Sequence, residues 1–186
     1  MRKLDLNARP GEQKRALATL LMLTTPGVCD ESLAAISAAG GIPAAVRMLG
    51  PGAGDAVRGL AASLLVDFAQ NDDNKVAIAA AGAIPPLVQL LGPGCASWLH
   101  KNALKALCAL AGNADNQVTI AAAAGILPLL VQLSGSKDAD TVLAAAACVR
   151  ALGADALAAF QPLMEERMAS LRQELRAGNG PGRDPA

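Results

Sequence analysis

The sequence predicts an all-α protein whose helices come in three-helix units stacked as a solenoid, and three observations carry that prediction. A short phrase occurs three times, as AGGIPAAVRMLG (39–50), AGAIPPLVQLLG (81–92) and AGILPLLVQLSG (124–135). Its glycines, Gly40, Gly82 and Gly125, and its prolines, Pro43, Pro85 and Pro128, recur at spacings of 42 and 43, and Ile36, Ile78 and Ile120 keep the same period. The composition is 53% hydrophobic, with alanine dominant, two Phe, one Trp and no Tyr. Alanine is the strongest helix former, and β-branched and aromatic residues, which favour strands, are sparse.

The elements follow in order. Residues 1–10 read as an N-terminal extension. EQKRALATLLMLTT (12–25) places Leu17, Leu20, Leu21 and Thr24 where a third helix carries its inner face, so 11–28 is a partial repeat or cap helix. Its apolar run faintly resembles a signal-peptide core, but it starts late and follows Asp5 and Glu12. Three units then span 29–70, 71–112 and 113–154. NDDNKVAIAAAG (71–82) matches NADNQVTIAAAAG (113–125), the one-residue difference being an extra alanine.

In each unit a helix of about two turns comes first, with Asp72 and Asp73, or Asp115, expected to accept its free N–H groups and to set negative charge at its positive end. Gly82 stops it in a positive-φ conformation, and Pro85 opens the next helix where a missing N–H does no harm. The second helix buries Leu87, Val88, Leu90 and Leu91, echoed by Ala45, Val46, Met48 and Leu49 and by Leu130, Val131 and Leu133. The loops after it, GPGAG (50–54), GPGC (92–95) and SGSKD (134–138), are glycine-rich but lack the GK[ST] of a phosphate-binding loop. A longer third helix closes the unit, with Val57, Leu60, Ala61, Leu64, Leu65 and Phe68 at helical spacing, then Leu104, Leu107 and Ala111, then Val142, Ala145, Ala146 and Val149. Such a unit cannot bury a core alone, so it must stack on its neighbours. Residues 155–177 form a helix whose stripe of Leu157, Phe160, Leu163, Met164, Met168, Leu171 and Leu175 is expected to cap the stack, with coiled-coil pairing and membrane-surface contact as alternatives. Residues 178–186, GNGPGRDPA, read as a disordered tail.

Several function classes fall away. Sixteen basic and sixteen acidic residues leave no net charge to gather phosphate backbones, and there is no aromatic platform for bases, so no nucleic acid is expected. Cys29, Cys95, Cys108 and Cys148 are widely spaced, without a CxxC, and His100 is the only histidine: no metal site is expected, and the thiols read as reduced. The uncharged stretches Val76 to His100 and Asn116 to Ser136 are interrupted by Pro, Gly and Gln, which argues against membrane insertion. In CASWLH (95–100), Ser97 and His100 lie one turn apart, but no third group or oxyanion site accompanies them. His100 therefore reads as a surface or loop-covering residue and Trp98 as a loop anchor. No enzyme activity, catalytic residue, cofactor or small-molecule substrate is expected.

The run from Asn71 to Gly82, followed by AIPPLVQLL, a loop and KNALKALCALAGN (101–113), resembles a complete armadillo unit. The first and third units are looser, with Ala44 and Ala45, or Leu127 and Ser134, as departures. The resemblance, over about residues 11–154, implies a right-handed superhelix whose third helices line a concave groove for extended peptides or proteins. In members similar to importin α, an asparagine on each third helix holds the ligand backbone and a tryptophan precedes it by one turn. The matching positions here are Asp67, Ala109 and Arg150, preceded by Ser63, Lys105 and Ala146, so the chemical basis of a nuclear transport receptor is missing. Asn102 is the nearest amide, and Lys101 joins the mixed groove charges.

The expected function is a non-catalytic scaffold or adaptor, monomeric, in the cytoplasm or nucleus, that binds a protein or peptide at Ser63, Asp67, Asn102, Lys105, Ala109 and Arg150. A substrate-recruiting part of a ubiquitin-ligase assembly is the alternative, although nothing in the chain resembles a U-box or RING module. A transport-receptor-like peptide binder is disfavoured.

Overall fold

The computed structural model describes residues 35–178, and most of them are helical. The N-terminal extension, the expected cap helix with Leu17, Leu20, Leu21 and Thr24, Cys29 and the tail beyond 178 lie outside the described residues. After helical residues 35–38, the elements are α1 (Gly41–Arg47), α2 (Asp55–Phe68), α3 (Asp72–Ala80), α4 (Ile84–Gln89), α5 (Ser97–Leu110), α6 (Ala114–Ala121), α7 (Ile126–Ser134), α8 (Ala139–Ala151) and α9 (Gly153–Gly178). The long helices α2, α5 and α8 pack side by side, α2 on α5 and α5 on α8, and the short helices fill in beside them. The chain is an all-α solenoid.

The bends form as the repeated phrase requires. Gly40, Gly82 and Gly125 have φ of 86°, 80° and 82°, and a Cβ there would meet nothing within 4 Å, so glycine is needed for its backbone freedom and not for space. Pro85 stands in the first turn of α4. Leu90 and Leu91 follow the end of α4 and are nonetheless fully enclosed.

The first-helix caps differ from expectation. Asn71 and Asn113, not the aspartates, accept the free backbone N–H groups, from Asn74 and Asn116 at 3.1 Å each. Asp72, Asp73 and Asp115 stand in the first turn, where they place negative charge at the helix start. Asp72 also holds Lys75 at 2.6 Å, a hydrogen bond that keeps its carboxyl below the ordinary value.

One apolar core runs through the described stack, from Ile36 to Ala156, with Phe68, Leu65, Leu87, Leu104 and Leu107 sealed from water. Val46, Leu60 and Val142 are only half-buried, and Ala146, counted with the inner stripe of α8, is exposed. Among the described helices none is long and apolar enough by itself to cross a membrane. The α6–α7 pair, which overlaps the uncharged stretch noted above, passes that test only jointly and is bent by 83°. Ile120, Ile126, Leu130 and Val131 of that pair belong to the buried set.

Side-chain amides join the units, the buried Asn116 and the half-buried Asn74 and Gln117. Asn116 donates to the carbonyl of Leu110 at 3.2 Å, closing the end of α5, and to that of Lys75 at 3.1 Å in the preceding unit. Asn74 makes the equivalent bond to Phe68 at 3.1 Å and accepts from the Ser37 hydroxyl at 3.0 Å. Gln117 ties α6 to the Ala151 carbonyl at 2.9 Å. Turned inward, these side chains bring a second donor to carbonyls at the ends of α2 and α5, and they tie α6 to α3 and to the end of α8.

Candidate partner-binding face

The three long helices run parallel and in register. Lys101 reaches Asp140 at 3.3 Å, and seven residues later the Cys108 sulfur lies 4.0 Å from the Ala147 carbonyl, so α5 and α8 keep a constant offset. Between α2 and α5, Asn102 donates to the Gly59 carbonyl at 3.2 Å. Equivalent positions of successive units therefore line up across the stack: Ser63, Lys105 and Ala146 in one row, Asp67, Ala109 and Arg150 in the next.

Lys105 and Arg150 are exposed, and Ser63, Asp67 and Ala109 are half-buried. These five predicted residues lie on a common, partly open side of α2, α5 and α8. Asn102 belongs to the same side of α5, but its amide is engaged with Gly59 and serves the helix pair. Lys101 is likewise occupied, bridging Asp140 at 3.3 Å and Asp138 at 3.7 Å. Asp138 precedes α8 and takes a hydrogen bond from the buried Thr141 hydroxyl, which, with a smaller contribution from Lys101, holds its carboxyl below the ordinary value against the opposing effect of burial.

Trp98 takes a role that sequence reasoning missed. It stands in the first turn of α5 and is 41% exposed, and its ring covers Gly59 so closely that a Cβ there would come within 1.9 Å of the indole. It anchors α5 to α2 instead of anchoring the preceding loop. The signal was present in the sequence as a lone glycine inside a helical pattern, a residue that marks a close approach. Leu143, on the exposed side of α8, is 68% exposed. His100 does cover the loop: its Nε2 lies 3.3 Å from the Gly92 carbonyl.

Two thiols lie between α5 and α8. Burial pushes Cys148 up to about 12, with Cys108 adding to the rise, and burial likewise raises Cys108 while Arg150 partly offsets it. Both remain protonated thiols at neutral pH and so are poor nucleophiles. Among the described residues no three His, Cys, Asp or Glu side chains gather to hold a metal ion.

No protein-family profile matches the chain, and no curated protein matches it. Solved structures do. An engineered protein superposes with a TM-score of 0.76 at 27% identity, over 87% of this chain and 65% of that one. A designed armadillo repeat protein gives 0.71 at 25% identity, over 81% and 62%. Another, in complex with the peptide (KR)4, gives 0.73 at 21% identity, over 85% and 66%. The chain thus spans less than two thirds of the length of each.

Proposed function

We propose that this armadillo-type solenoid is a non-catalytic scaffold that binds a protein or an extended peptide across the open side of α2, α5 and α8. The observation that supports the reading is the contrast between two sets of positions. Those that build the stack repeat from unit to unit, whereas the rows Ser63, Lys105, Ala146 and Asp67, Ala109, Arg150 change in charge and size at every step. Stacking requires sameness, while a surface fitted to one partner requires difference. Solenoids present such rows as extended binding surfaces.

The chemistry of the rows narrows the ligand. One of the similar designed proteins is in complex with a basic peptide, but Lys105 and Arg150 give this face cationic groups on two of its three helices. No ladder of asparagines is present to hold a ligand backbone, so side-chain pairing must contribute more. A ligand carrying carboxylates opposite α5 and α8 fits best. Affinity capture with the full chain tests this, comparing wild type with Lys105→Glu combined with Arg150→Glu. Both residues are exposed, so helix content measured by circular dichroism should be preserved while partner recovery falls. Unchanged recovery would remove this face from consideration.

A further inference from the structure

The helix α9 leaves the stack partway along its length. Its first turns pack on α7 and α8, with Ala156 buried and Phe160 resting against the core. This part lies against the end of the described stack. Beyond Pro162 the helix continues, but every side chain from Glu165 to Ser170 is exposed, and Met168 is 43% exposed. Met164 and Leu171 are half-buried and are not packed against the core.

The spacing in this free half is regular. Met164, Met168, Leu171 and Leu175 follow one another by four, three and four residues, the a and d positions of a heptad. The flanking e and g positions carry Glu165, Arg167, Arg172 and Glu174. The cap therefore continues into a seam that no described element covers.

We infer that a second copy of this chain covers the seam, with the two α9 helices pairing antiparallel about a two-fold axis. The charges select both the occupant and the direction. With Met168 of one helix against Leu171 of the other, Glu165 faces Arg172 and Arg167 faces Glu174. The two-fold axis repeats each contact, so every flanking pair is attractive. Parallel pairing instead sets Arg167 against Arg172 on both sides of the seam. Within one chain Arg167 and Glu174 are 3.6 Å apart, but both are largely exposed, so exchanging that pair for its counterpart across the axis changes little. An anionic membrane surface fits less well, because Arg167, Arg172 and Arg176 are balanced by Glu165, Glu166 and Glu174. The shared seam, Met164 to Leu175, spans roughly 12 residues per helix, about 18 Å, which makes a weak dimer governed by concentration. Such a dimer sets two partner-binding faces in one particle and replaces the monomer expected from sequence.

Sedimentation equilibrium on the full chain across a wide concentration range tests this. Wild type should pass from monomer to dimer as concentration rises. Glu165→Arg alone and Arg172→Glu alone should each weaken association about tenfold, since each turns attractive contacts repulsive. Combined, they swap the charges and should restore it, which a folding defect could not do. A monomer at every concentration, single reversals without effect, a combined variant that stays weak, or a monomer that instead binds anionic vesicles would each overturn the inference.

Discussion

At Gly59 a hydrogen stands where any other residue would carry a methyl group, and the Trp98 indole occupies that space. Gly59→Ala should therefore destabilise the protein by about 1–3 kcal/mol, because the ring must swing away or α2 and α5 must separate. Urea denaturation measures this, and the control is built into the pair. In a Trp98→Ala background the same glycine substitution should cost little, since alanine is the better helix former once the ring is gone. An equal cost in both backgrounds would show that the ring is not the obstacle. The amides of Asn102 and Asn116 show the same dependence on surroundings. Asn102 is the amide nearest the rows of the open side, yet its hydrogen bond goes to Gly59; Asn116 sits in a loop-flanking repeat signature, yet it is buried.

Each short first helix is marginal alone, since two or three turns rarely persist in water without packing or caps. Its stability here comes from a relay: Asn113 caps the start of α6, and Asn116 carries the connection onward to α5 and α3. Asn116→Leu removes two hydrogen bonds at once, those to the Lys75 and Leu110 carbonyls, and should cost about 1–3 kcal/mol, at about 0.5–1.5 kcal/mol for each bond. Asn113→Ala should cost about 1 kcal/mol, the usual loss for a cap. Chemical denaturation of the two variants checks the order, and equal losses would mean that Asn116 acts only locally. The same balance of packing and local stability governs α9. Its first half is held by packing and its second half by helix propensity and its own charges, so the two halves should respond differently to the same substitution.

Across the whole molecule the core is continuous, so opening one interface exposes its neighbours. Cys148 reports on that opening because it is buried between α8 and the stack. Alkylation at pH 8 under native conditions should leave Cys148 unmodified until denaturant unfolds the stack, whereas rapid native labelling would show that α8 detaches by itself. Its raised value also sets a pH dependence. The folded state holds the thiol proton more tightly than the unfolded chain, so the stability linked to it is intact below the ordinary value of 9.0 and is lost as pH rises from there towards about 12. Thermal unfolding followed from pH 8 upward should show that decline, and Cys148→Ala should flatten it.

By itself, the sequence determined the repeat, the three bends and the helical class, because these rest on local rules. A glycine with positive φ, a proline in a first turn and apolar residues at helical spacing act within a few residues of themselves. It also set which positions of the long helices are equivalent, since units of one period must align them. Only the tertiary structure decided which polar side chains remain for a partner. The same asparagine or lysine serves water, a ligand or a neighbouring helix according to what lies across from it. Lys101 turned to Asp140, Asn102 to Gly59, and Asn71 took the cap expected of the aspartates beside it. Those pairings join residues some forty positions apart or depend on a rotamer choice, and periodicity carries neither.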